Sequence, residues 1–158
     1  MKIMVIAFGI ILLFLAIPVQ SQTLTDAQKA EIEKVVKNQI TKLFAAWDSM
    51  NAEAYVQLWS RDKIMGELRP TGLESSFETM LKTQKTNFAR ETAHKNEILD
   101  IKVHVISPEM ALAFSKSTVR IELKNGNINN YNHANTTIWV SEAGAWKLAH
   151  LAERNAAR

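Results

Sequence analysis

The feature that most constrains this chain is its last third, where NNYNHANTTIWV (residues 129–140) and AWKLAHLAE (residues 145–153) form two β-rich runs around the short polar segment SEAG. Runs of this kind separated by a glycine-bearing turn predict an antiparallel hairpin. A second hairpin signal, Asn125-Gly126, precedes it and leads into the strand that starts at Ile128. Further upstream, Leu99, Ile101, Val103 and Val105 alternate with Asp100, Lys102 and His104, the period of a half-buried strand that Ser107 and Pro108 end. The next strand begins at Met110. Its apolar phase changes between Leu112/Phe114 and Val119/Ile121, which predicts a bulge or bend near Ser115 to Ser117 and a curved sheet.

The first half has a different period. Thr25 and Gln28 make a capping box, and Ile32, Val36, Ile40, Leu43 and Trp47 follow at helical spacing. Asn51 can cap a short second helix carrying Tyr55, Leu58 and Trp59. Gly66, Pro70 and Gly72 punctuate a loop with a brief strand expected at residues 63–66. Ser75 and Glu78 then open a third helix, with Phe77, Met80, Leu81, Gln84 and Phe88 on one stripe. Helices before strands indicate an α+β fold: three N-terminal helices packed on a strongly curved antiparallel sheet that forms a cone.

Residues 1–21 read as a signal peptide: Lys2 is followed by a nearly continuous apolar run over residues 3–17, and Val19 and Ser21 suit a signal peptidase. Fifteen apolar residues fall short of the roughly 20 that span a bilayer. The expected location is secreted or periplasmic, with no stable membrane insertion after cleavage. Removing 21 of 158 residues leaves 137, one domain at residues 22–158, and the net charge of +3 falls to +2 with the loss of Lys2. Without cysteine, neither a disulfide framework nor a thiolate metal site can form. Lysines 82–95 are interleaved with Glu78 and Glu91, which argues against a nucleic-acid surface.

The order of elements resembles the SnoaL-like branch of the nuclear transport factor 2-like superfamily. LFAAWDSMNAEAYVQLWSRD looks like that family's helix-turn-helix opening, and NTTIWVSEAGAWKLAHLAE like its closing hairpin. The hairpin is also similar to the association domain of calcium/calmodulin-dependent kinases through Thr136, Trp139, Gly144, Trp146 and His150. Two departures stand out. Ala152 occupies the place of a frequent second histidine, and Thr137 the place of an arginine in the kinase relatives, whereas Arg120 matches one of their pocket arginines. The resemblance implies a homodimer and a cone-shaped pocket, in which isomerase and dehydratase relatives use a cavity Asp with a Tyr or His.

If SEAG is the whole turn, Asn135 lies opposite His150; if Asn125-Gly126 is a two-residue turn, Arg120 lies opposite Tyr131. Alternation then gathers Arg120, Tyr131, His133, Asn135 and His150 on one face, with Tyr55 and Trp59 able to close the wide end. One unpaired residue would send half of these side chains to the other face. Three functions stay open. The first is an exported domain that binds a small organic molecule. The second is a small isomerase, dehydratase or hydrolase with His150 or Glu67 moving the proton and Arg120 or Tyr131 fixing an oxygen. The third is an interaction module. No cofactor is indicated, and His133 with His150 lacks the third ligand a metal site would need.

Overall fold

The computed structural model describes residues 23–69 and 72–157. The expected signal segment, residues 1–21, lies outside them. Helix α1 (Asp26–Asp48) starts at the Thr25 capping box, with both reciprocal hydrogen bonds made, and buries Val36, Ile40, Leu43, Phe44 and Trp47. It ends in a Schellman motif: Met50 adopts a left-handed φ of 50°, its N–H donates to Trp47 O, and Asn51 N–H donates to Ala46 O. That sharp stop folds α2 (Ala52–Gln57), capped by Asn51, back against α1.

Two short strands follow, β1 (Gly66–Arg69) and β2 (Gly72–Glu74), where one brief strand at residues 63–66 was expected. Helix α3 (Phe77–Phe88) is capped by Ser76 rather than Ser75. The remaining strands are β3 (Glu91–Ser107), β4 (Met110–Leu123), β5 (Ile128–Glu142) and β6 (Ala145–Ala157). The six form one sheet in the order β2-β1-β6-β5-β4-β3. All pairs are antiparallel except β1 with β6, because β1 reaches β6 from the helical layer rather than through a hairpin.

The sheet's concave face carries the core. Trp59, Trp139, Tyr55, Leu148 and Leu151 are fully buried there together with the α1 stripe. On β4 the inward positions are the small residues Ala111, Ala113, Ser115 and Ser117, all buried, which leave room for the large rings. This explains the phase change in the β4 sequence without a bulge in that strand: Phe114 simply points to the outer face, 41% exposed. The irregularity belongs to the partner strand, where Leu99 of β3 is unpaired between Ile98↔Ser117 and Asp100↔Lys116. β3 also begins at Glu91, well before the alternating segment, and its first half reaches α1, where Asp48 accepts from the Asn96 backbone at 2.8 Å.

Two turns decide which side chains face inward. Between β5 and β6 the turn is only Ala143-Gly144, both with positive φ (50° and 80°), as a type I′ turn requires, so Ser141 and Glu142 pair with Trp146 and Ala145. Past Trp139↔Leu148 the register jumps to Ile138↔His150, leaving Ala149 as an extra residue. Its carbonyl accepts from Met65 N–H at 2.7 Å, on the chain leading into β1. Between β4 and β5 the loop has three residues, 124–126, closed by Gly126 N–H to Leu123 O and Leu123 N–H to Asn127 O.

Candidate functional site

Beneath α1 and α3 the concave face encloses a half-open cavity of about 280 Å³. Trp47 of α1 and Phe88 of α3 form its apolar wall, and Tyr131 and His133 of β5 stand opposite. His94 and Glu91 of β3, Glu153 of β6 and Arg69 of β1 supply its polar groups. His133 lies between two rings, with centroids 5.5 Å from Trp47 and 6.2 Å from Tyr131.

Tyr131, His133 and Asn135 share the concave face, as the alternation predicts. Arg120 and His150 do not join them. The three-residue loop pairs Arg120 with Asn130 instead of Tyr131, so Arg120 is exposed on the outer face and bonds Glu122 at 2.9 Å. The extra Ala149 likewise places His150 opposite Ile138, and its Nδ1 contacts the Gly66 carbonyl at 2.8 Å. The same shift brings Glu153 opposite Asn135, into the cavity, where the sequence offered no signal for it. A one-residue change in pairing exchanges the two faces of a strand.

Tyr55 and Trp59 are core residues, 0% and 1% exposed, rather than a closing rim. Glu67 is fully buried too. Tyr55 hydroxyl donates to its Oε2 at 2.7 Å, and Arg69 meets its Oε1 at 2.6 Å. It stands behind Arg69, which faces the cavity and also lies 3.8 Å from Glu74. His94 has a side chain only 9% exposed and contacts Glu91 at 2.9 Å. His104 stays exposed.

Burial sets the electrostatics. Glu153 has a side chain 15% exposed, and loss of solvent, then repulsion from Glu67 and Glu74, pushes its carboxyl up from 4.5 to about 7 against the opposing pull of Arg69. Burial and then His94 lower His133 to about 4, so its ring is neutral at physiological pH. His133 Nε2 lies 3.9 Å from Glu153 Oε1, and its Nδ1 has no hydrogen-bond partner. Burial, then the charges of Glu153 and Glu91, raise Tyr131 to about 12, which keeps it a phenol. Burial also raises Tyr55 and Glu67. The cavity therefore offers a carboxyl able to hold or release a proton near neutrality, beside a neutral imidazole.

A helical layer on a curled mixed sheet, with a polar-floored cavity between them, defines the nuclear transport factor 2-like, cystatin-like class of α+β domains. The SnoaL-like domain model matches residues 36–153, and the chain belongs to that family. No curated protein matches the chain. Among solved structures it is similar to the hexachlorocyclohexane dehydrochlorinase LinA-type3 of Novosphingobium barchaimii LL02, at 13% identity and TM-score 0.72, over 83% of this chain and 90% of that one. A nuclear transport factor 2-like superfamily protein of Salmonella enterica serovar Typhimurium strain LT2 shares 13% identity and TM-score 0.74, with 82% and 94% covered. A protein with a cystatin-like fold from Caulobacter vibrioides gives 17% and 0.68, with 80% and 90% covered. At these identities the likeness establishes the fold.

Proposed function

We propose that the chain binds a small organic molecule in the cone and moves a proton on it, with Glu153 as the acid–base group and neutral His133 beside it. The observation that carries this reading is the position of Glu153: a desolvated carboxyl on the cavity wall, 3.9 Å from an imidazole whose Nδ1 has no partner. A carboxylate taken out of water is a stronger base than one on the surface, and a group titrating near neutrality serves in either direction. The dehydrochlorinase named among the similar structures supports a cavity of this fold as a setting for elimination chemistry.

A neutral probe tests the base directly. In 5-nitrobenzisoxazole, transfer of the ring C–H proton to the base sends that bond's electron pair into a new nitrile as the N–O bond breaks, its pair staying on the ring-bound oxygen to give a single cyanonitrophenolate product. Turnover should rise with pH through about 7 and fall about a hundredfold or more in Glu153→Gln. Equal rates in that variant would overturn Glu153 as the base.

We also infer export through residues 1–21, and pairing of two copies through the outer sheet face, where Phe114 is 41% exposed. Fractionation of cells producing the full chain, and light scattering of the purified protein, test these two readings.

A further inference from the structure

Two acids and two arginines line the cavity, Glu91 and Glu153 with Arg69 and Arg90, and two further carboxylates, Glu67 and Glu74, stand behind the wall, so acids outnumber arginines around it. Glu67 and Glu74 gather on Arg69 at 2.6 and 3.8 Å, so the guanidinium is already committed to two carboxylates. His94 is held by Glu91 at 2.9 Å. Arg90 stands exposed at the rim. Arg69 also acts on Glu153 at longer range, but its contacts within 4 Å are to Glu67 and Glu74, so among the described residues no Lys or Arg makes an ion pair with Glu153. A second observation points to a ligand at the same place. His133, with a side chain 6% exposed, lines the cavity between the rings of Trp47 and Tyr131, and its buried Nδ1 has no hydrogen-bond partner among the described residues.

Aromatic faces attract cations, more strongly where water is excluded, and a buried carboxylate gains most from a partner of opposite charge. An anion here would meet Glu153 and Glu91 at close range. A neutral molecule would leave the acid excess uncompensated.

We propose that the ligand of this cavity is a small organic cation, an ammonium-bearing molecule whose positive group lies against Glu153 between the Trp47 and Tyr131 walls. The inference rests on the reading of the cavity as a ligand site. It adds that charge, more than shape, selects the occupant. Binding such a cation favours the ionised form of Glu153, so affinity rises with pH as that carboxyl gives up its proton. The groups facing Glu153 are Glu67, Arg69 and Glu74 from the β1–β2 hairpin, Tyr131 and His133 from β5, and the Glu91–His94 pair from β3. Tyr131 and His133 keep their neutral forms through this range.

Three probes of one size and different charge separate the alternatives: benzylammonium, benzyl alcohol and benzoate. Each would be titrated calorimetrically into the full chain, with the ring resonances of Trp47 and Tyr131 followed by NMR. Benzylammonium should bind about tenfold or more tightly than benzyl alcohol, with benzoate weakest. Only the cation should gain affinity between about pH 5.5 and about pH 8. Glu153→Gln should erase the preference for the cation, and Tyr131→Leu should weaken it should the first variant fail to fold. Equal or tighter binding of the alcohol or of benzoate overturns the charge inference and leaves the cavity as a ligand site. Binding of none of the three, with unmoved Trp47 and Tyr131 resonances, removes both readings.

Discussion

Replacing Glu153 by glutamine should change how stability depends on pH in a direction set by burial. In the fold its carboxyl holds its proton up to about pH 7, whereas in the unfolded chain it releases it near 4.5. The folded state therefore binds the extra proton between these values. The stabilisation is fully present below 4.5 and is lost as pH rises to 7. At 1.36 kcal/mol per pH unit the full span corresponds to about 3 kcal/mol, and the partial exposure of the side chain, 15%, trims it to about 2 kcal/mol. The Glu153→Gln variant has no proton to lose. Its stability relative to the parent should grow by about 2 kcal/mol between pH 4 and pH 8, or about 8 °C in Tm for a domain of this size. His133 acts with the opposite sign: its folded value of about 4 lies below the ordinary 6.5, so its contribution is present above 6.5 and lost on acidification. That contribution is common to both proteins and cancels in the difference. Urea unfolding followed by tryptophan fluorescence at several pH values measures the quantity. An offset that stays constant from pH 4 to pH 8 would refute the argument that Glu153 is desolvated in the cavity.

Other perturbations test the framework around the site. Tyr55→Phe removes the hydroxyl that satisfies Glu67 and should cost about 1–3 kcal/mol in urea unfolding. Gly66→Ala should cost at least as much, because φ is +108° and the added Cβ would come within 2.8 Å of the Glu74 carbonyl oxygen; loss of the β1–β2 hairpin would show as faster amide exchange at Glu67 and Arg69. Arg120→Ala should change stability by less than about 0.5 kcal/mol and leave 5-nitrobenzisoxazole turnover unaltered. His150→Ala should lose about 1 kcal/mol through the Gly66 contact, with the same turnover as the parent; a large loss of rate in either variant would return them to the site.

The reach of the sequence differs between fold and site. Helix starts at Thr25 and Asn51, the strand period of residues 101–105 and the alternation of Tyr131, His133 and Asn135 are local signals, and the structure bears them out, whereas Leu99, expected on the same face, is the exposed bulge residue. Glu153 was not legible because its facing depends on a single unpaired residue, Ala149, whose carbonyl is taken up by Met65. Arg120 was misplaced for a similar reason, a loop longer by one residue than Asn125-Gly126 alone implies. Glu67 could be noted near Arg69, but its burial requires Tyr55 and the parallel docking of β1 on β6.

By itself the sequence determined the three helices, the four long strands of the curled α+β sheet and the polar face of β5, since capping, helical spacing and strand alternation are properties of neighbouring residues. Only the tertiary structure decided which acid enters the cavity and what charge surrounds it. Strand facing has a period of two, so one bulge or one added loop residue, stabilised by contacts with a distant segment, reverses every side chain beyond it, and the carboxyl turned inward takes its proton affinity from the water it has lost.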